Sequence, residues 1–207
     1  MDWSSGAIVA VVLVVMPLAF KALVASRGKP EPGLVGYSVA MKGLAIACVA
    51  PAILVSAVVL IADEPLKPGD QKAVAFLILL FLGLGGVMVI DFFGTRHRYD
   101  EQGLTYRTPW TRKRSLRWAD VSELKWSLSM KWLVIRDAGG VKFRISPLLG
   151  GLDGLGRTAQ QHIPRAVLDA SPAGAAVLEL MRRGHVFGLV MSQATPETQV
   201  RDLPPER

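Results

Sequence analysis

Two stretches decide the architecture: GLAIACVAPAILVSAVVLIA, running from Gly43 to Ala62, and AVAFLILLFLGLGGVMVI, running from Ala73 to Ile90. Neither contains a charged side chain. At 1.5 Å per helical residue they reach about 27–30 Å, the thickness of a bilayer's hydrocarbon core. A third run, from Ala7 to Ala25, is apolar apart from Lys21, which lies near one end where its ammonium can snorkel to the headgroups. It has no basic segment before it and no small-residue cleavage signal after it, so it reads as a helix and not as a removed leader. The expectation is therefore three transmembrane helices, at about 7–25, 43–62 and 73–93, within a membrane region 1–94. Pro17 and Pro51 are kinks that a membrane helix tolerates.

Outward from these runs, composition agrees. Of 207 residues 51% are hydrophobic, and the mean hydropathy is only +0.35, so the apolar character is concentrated in part of the chain. The net charge of +7 is equally uneven. Residues 1–93 balance six bases against six acids, while 94–207 hold 18 bases against 11 acids, and the stretch 96–144 alone holds 12 against 5. Short basic loops stay on the cytoplasmic side. Arg27, Lys29 and Lys42 in the first loop, and Arg96 and Arg98 after the third helix, predict an N-terminus outside and a C-terminus in the cytoplasm. Gly43 and Ala47, one turn apart, and Gly83 and Gly86 offer small surfaces for helix packing or for docking onto another membrane chain.

After Gly94 the period changes to two. Val141, Phe143 and Ile145 alternate with Lys142, Arg144 and Ser146; Leu104 and Tyr106 alternate with Thr105 and Arg107; Leu116 and Trp118 alternate with Ser115 and Arg117. Turn chemistry at 100–103, 108–110 and 137–140 separates them, which predicts an antiparallel meander with one solvated face. Leu148, Leu152, Leu155, Ala159 and Ile163 then form the stripe of an amphipathic helix ending near Pro164. A second helix is expected over 173–183, within an extension 165–191. The polar segment 192–207, with three prolines, reads as a disordered tail.

The run Tyr99–Tyr106, the basic Arg112–Arg114, Leu116–Val121, Trp132–Ile135 and Val141–Ser146 with the leucine-striped helix after it resembles the bacterial pleckstrin-homology-like domains. The resemblance covers 96–164. It implies a small, bent antiparallel sheet or barrel capped by a helix, a setting in the bacterial inner membrane, and a binding or scaffolding role instead of catalysis. The fold class expected is thus membrane α + β: three transmembrane helices, then a cytoplasmic domain over 95–164.

Cys48 is the only cysteine and falls in an apolar run, and His97, His162 and His185 are too far apart for a short metal motif. Gly151–Thr158 imitates a phosphate loop with Arg157 in the lysine position, but lacks the parallel strand–helix–strand setting such loops need. No catalytic set, cofactor, metal or small-molecule substrate is expected. The candidate site is the basic cluster Arg107, Arg112, Lys113, Arg114 and Arg117, with Lys142 and Arg144 on a neighbouring strand, suited to anionic membrane lipid or an acidic protein partner. Nucleic acid is not expected, because Trp118 and Trp132 fall at inward strand positions and so read as core, not as base-stacking platforms.

Overall fold

The computed structural model describes residues 31–61, 68–186, 188 and 194–203. The run 7–25 lies outside them. The described chain is mixed helix and antiparallel sheet, divided into a helical unit that includes Tyr37–Gly94 and a second unit formed by the described residues before Tyr37 and after Gly94.

The helical unit holds α1 (Val39–Ile61) and α2 (Pro68–Gly94) packed on each other. Both are long and apolar enough to cross a membrane, over Val39–Ala57 and Gln71–Gly94. Neither has a polar face: Ile53, Leu54, Leu60, Phe76, Leu79 and Leu84 are all exposed, Leu60 at 84% and Leu79 at 71%. The buried side is made of small residues. Ala45 and Ala52, two turns apart on α1, are shut off from solvent. On α2 it is Gly85 that permits close approach, since a β-carbon there would lie 2.7 Å from Val49 Cγ2 and 3.2 Å from the Cys48 carbonyl carbon. Gly83 and Gly86 have nothing within 4 Å of a β-carbon position, so among the described residues they do not pack α2 against α1. Gly43 and Ala47 are half-buried on α1.

Among the described residues the second unit contains eight strands. β1 (Leu34–Tyr37), β2 (Arg96–Tyr99), β3 (Gly103–Thr108), β4 (Thr111–Arg117) and β8 (Leu149–Gly150) form one sheet in the order β4-β3-β2-β1-β8. β5 (Val121–Ser127), β6 (Trp132–Asp137) and β7 (Lys142–Ile145) form the other, in sequence order. β1 is the unexpected member. It precedes α1, yet pairs antiparallel with β2, which follows α2: Val35 faces His97 and Gly36 faces Arg96. The helical pair is thus an insertion between two neighbouring strands of one sheet.

The alternation read from the sequence is what fills the core: Leu104, Leu116, Phe143 and Ile145 are buried, as are Leu133 and Ile135 of β6. Trp118 is buried in a 3₁₀ turn (Trp118–Asp120), its indole N–H donating to the Asp100 carbonyl at 2.8 Å. Trp132 reverses the expectation. The inward parity of β6 belongs to Leu133 and Ile135, so Trp132 stands on the other face, half-buried beneath the Arg144 guanidinium at 5.8 Å from the ring centre.

Helix α3 (Leu152–His162) buries Leu152, Leu155 and Ala159, and Ile163 just past its end; Leu148, expected to open that stripe, is partly exposed before the helix begins. α4 (Arg165–Ala170) and α5 (Pro172–Arg182) follow. Gly156 and Gly174 are close-approach positions. A β-carbon on Gly156 would meet the Leu178 carbonyl oxygen at 2.7 Å, and one on Gly174 would meet the Leu124 backbone at 2.9 Å. Part of the expected disordered tail is folded: Pro196–Arg201 forms α6, with Pro196 buried, and α6 packs on α5.

Candidate functional site

The β3–β4 hairpin carries five bases and no acid between Gly103 and Arg117. Register decides how they divide. Leu104 faces Leu116 and Tyr106 faces Arg114, so the inward parity on β4 passes through Leu116 and Arg114. Between Tyr106 and Thr108 the register shifts, Thr108 facing Thr111, so the alternation is broken at Arg112 and Lys113, and both are exposed with Arg114 at the end of the hairpin. Arg117 stands on the outer face with Ser115, and Arg107 shares that parity on β3. Arg117 is engaged by Asp120 through a 2.8 Å ion pair at the surface. Such an exposed pair contributes little to stability.

Arg96 and Arg98 join this face, which sequence reasoning used only as a sign of membrane sidedness. Arg98 faces Thr105, and Thr105 faces Ser115, so one continuous outer surface crosses β2, β3 and β4. The alternation in Arg96-His97-Arg98-Tyr99 was the available signal, but four residues are short for a periodicity argument. Lys142 and Arg144 are elsewhere. They are exposed on β7 of the three-stranded sheet, facing Arg136 and Val134 of β6. The candidate residues therefore fall on two sheets, not one.

Beneath the hairpin His97 is 1% exposed. Its Nδ1 accepts the Arg107 backbone N–H at 3.2 Å, and its ring stacks on Tyr106 with centroids 4.4 Å apart and planes 9° apart. Tyr106 in turn meets the edge of Phe143 at 5.7 Å. An imidazole accepting at Nδ1 carries its proton on Nε2 when neutral. The histidine holds the backbone of β3 in place where the basic residues begin.

A second feature is a groove of about 340 Å³ lined by Gln160, Arg165, Leu168, Asp169, Ala175, Glu179 and Arg182. Its charges are spent on one another. Glu179 accepts from Arg182 Nη2 at 2.7 Å, from Arg183 and from Gln160 Nε2 at 3.1 Å, while Arg165 pairs with Asp169 at 3.4 Å. The Arg182 hydrogen bond, with smaller help from Arg183 and Gln160, holds the Glu179 carboxyl at about 2, below its ordinary 4.5, against the opposing effect of burial. This is a carboxylate fixed in its charged form, unsuited to proton transfer near neutrality.

The phosphate-loop lookalike dissolves into packing. Gly151 takes φ +80 ahead of α3, Gly154 lies against the Tyr99 hydroxyl, and Gly156 lies against α5. Residues 152–158 are helix, not loop. Among the described residues no group of three or more His, Cys, Asp or Glu could hold a metal ion. Comparison of the chain with protein-family models, curated proteins and solved structures gives no match.

Proposed function

We propose that the chain is a non-enzymatic integral membrane protein of the bacterial inner membrane, whose cytoplasmic, pleckstrin-homology-like domain serves as a tethered interaction module. Membrane insertion is supported by two apolar helices whose large side chains lie exposed. Tyr37, ahead of α1, bonds to Asp91 in the last turns of α2, so the chain enters and leaves the helical pair at the same end and on the same side of the bilayer. The positive-inside rule makes that side the cytoplasm, with the segment before α1 crossing to an outside N-terminus. The four-strand run β1–β4, the three-strand run β5–β7 and the helix after them support the pleckstrin-homology-like reading.

The observation that carries the function is the hairpin, with Arg107, Arg112, Lys113, Arg114 and Arg117 exposed and no acid within it. Near an anionic surface each such base contributes about 1 kcal/mol. The test is to recover the protein from its membrane in gentle detergent and to identify what accompanies it, alongside a variant with Arg112, Lys113 and Arg114 all changed to Glu. Loss of the accompanying lipid or protein in the variant supports the module; an unchanged profile sinks it.

A second reading has its own observation. Gly83 and Gly86 lie open on α2, away from α1. A small accessory subunit docking this surface onto a larger membrane complex would co-purify with that complex, and Gly83→Leu with Gly86→Leu would release it.

A further inference from the structure

Trp110, at the apex of the β3–β4 hairpin, is 58% exposed and flanked by Arg107 on one side and Arg112, Lys113 and Arg114 on the other. Burial would have been the ordinary outcome for the largest apolar side chain. The strand register shows at which end of the sheet this apex stands. Arg98 faces Thr105, and the Arg107 N–H reaches His97 Nδ1, so Arg107 falls opposite Arg96 at the start of β2. Thr108–Thr111 then projects beyond Arg96, toward the end of the sheet where the chain returns from α2 at Thr95. Between Arg96 and Gly94, the last residue of α2, the backbone can span only about 7 Å.

The end of the helical unit has the composition of a water–lipid boundary. Tyr37 and Phe92 rings lie 4.2 Å apart, and Lys42 Nζ is 5.6 Å from the Phe93 ring centre. Aromatic rings and lysines at helix ends are the usual markers of the headgroup level. The chain leaves this boundary and enters the sheet within two residues.

We propose that the β3–β4 hairpin is an interfacial anchor, in which Trp110 enters the headgroup layer of the leaflet reached by α1 and α2 while Arg107, Arg112, Lys113 and Arg114 bind acidic lipid headgroups. The proposal rests on the reading of α1 and α2 as membrane spans, and names the ligand of the interaction module. Two features favour a leaflet over a soluble acidic protein. Tryptophan, with an apolar body and one N–H, partitions to this layer. The bases around it supply the complementary charge that neutral lipid would not need.

The experiment uses the full chain with Cys48→Ala, carrying one nitroxide label at Thr111→Cys beside the apex or at Glu101→Cys in the β2–β3 turn at the opposite end of the same sheet. Each is reconstituted into vesicles of phosphatidylglycerol with phosphatidylcholine, or of phosphatidylcholine alone. Collision with dissolved oxygen, which concentrates in lipid, is compared with collision with a water-soluble nickel chelate. At position 111 the oxygen-to-nickel ratio is expected to be several-fold higher than at position 101 in acidic vesicles. It should fall toward the position-101 value in phosphatidylcholine alone, and again when Trp110→Ala or the triple glutamate variant is combined with the label. A ratio at 111 no higher than at 101 in acidic vesicles overturns the anchor and leaves the protein-binding module standing. An equal ratio in both lipids overturns the acidic-headgroup half of the proposal. Release of the chain from vesicles by alkaline carbonate overturns the membrane reading itself, and the anchor with it.

Discussion

The Tyr37 hydroxyl donates to Asp91 Oδ2 at 3.0 Å across 54 positions of sequence, joining the residue just before α1 to the last turns of α2. The Asp91 carboxylate, directly after the third apolar run, thereby has a structural partner. Tyr37→Phe keeps the ring against Phe92 and removes the donor. It is expected to lower stability by about 0.5–1.5 kcal/mol, the worth of one such hydrogen bond. Thermal unfolding of both forms in one detergent measures it, and no shift would mean that water replaces the bond at no cost.

Gly85 and its neighbours give opposite expectations from the same chemical change. Gly85→Leu must push α2 away from the Val49 side chain and the Cys48–Val49 backbone, with a penalty of about 1–3 kcal/mol typical of overpacking. Gly83→Leu and Gly86→Leu meet open space and should leave the helix pair intact. Disulfide trapping between cysteines placed on α1 and α2 reads the difference. Equal trapping in all three variants would contradict the packing described.

Glu179 sets a pH expectation. Its folded pKa, about 2, lies below its ordinary 4.5, so the folded state binds the proton less readily than the unfolded one. The stabilisation is complete above about pH 4.5 and disappears as pH falls through about 2. Glu179→Gln should cost about 1–3 kcal/mol at neutral pH, as for hydrogen bonds to charged groups, and the gap between variant and parent should close in acid. Melting curves at pH 7 and pH 3 test this, and a gap that widened in acid would reverse the assignment.

Because β1 is a neighbour of both β2 and β8, the second unit cannot be cut out at Thr95 without opening its sheet. A chain starting at Thr95 should aggregate, since it leaves two unpaired edges. Joining a segment that starts at Glu31 and ends at Gly36 to Thr95 through a short glycine-containing turn, with everything before Glu31 and Tyr37–Gly94 deleted, should restore a soluble domain, because Gly36 already faces Arg96. Size-exclusion chromatography and amide NMR spectra distinguish the two. A well-dispersed spectrum from the shorter chain would show β1 to be dispensable.

How much of this was legible in the sequence follows from the range over which each signal acts. Alternation marked Leu104, Leu116, Phe143 and Ile145 as inward, and the helical stripe marked Leu152, Leu155 and Ala159, because both signals are local. β1 was read as loop. Its four residues lack the length for a period, and its strand character comes from pairing with residues beyond α2. Trp132 reads as an inward strand position in the sequence, whereas parity is fixed by Leu133 and Ile135 beside it. In the candidate site the bases themselves were plain to see. Their division between two sheets depended on which strands pair, and the contribution of Arg96 and Arg98 depended on a register that no local pattern encodes.

The insertion of two long helices between paired strands also sets a timetable for biogenesis. During synthesis β1 leaves the ribosome before α1, while the strand it must join is made only after α2. At about 5–20 residues per second the interval is roughly 3–12 seconds. If the two helices span the bilayer as proposed, a nascent β1 can complete its sheet only when they have entered the membrane and returned the chain to the side on which it waits. On that reading insertion is a precondition of domain folding, and a molecule that failed to insert would carry an unfinished sheet edge open to capture by chaperones and proteases.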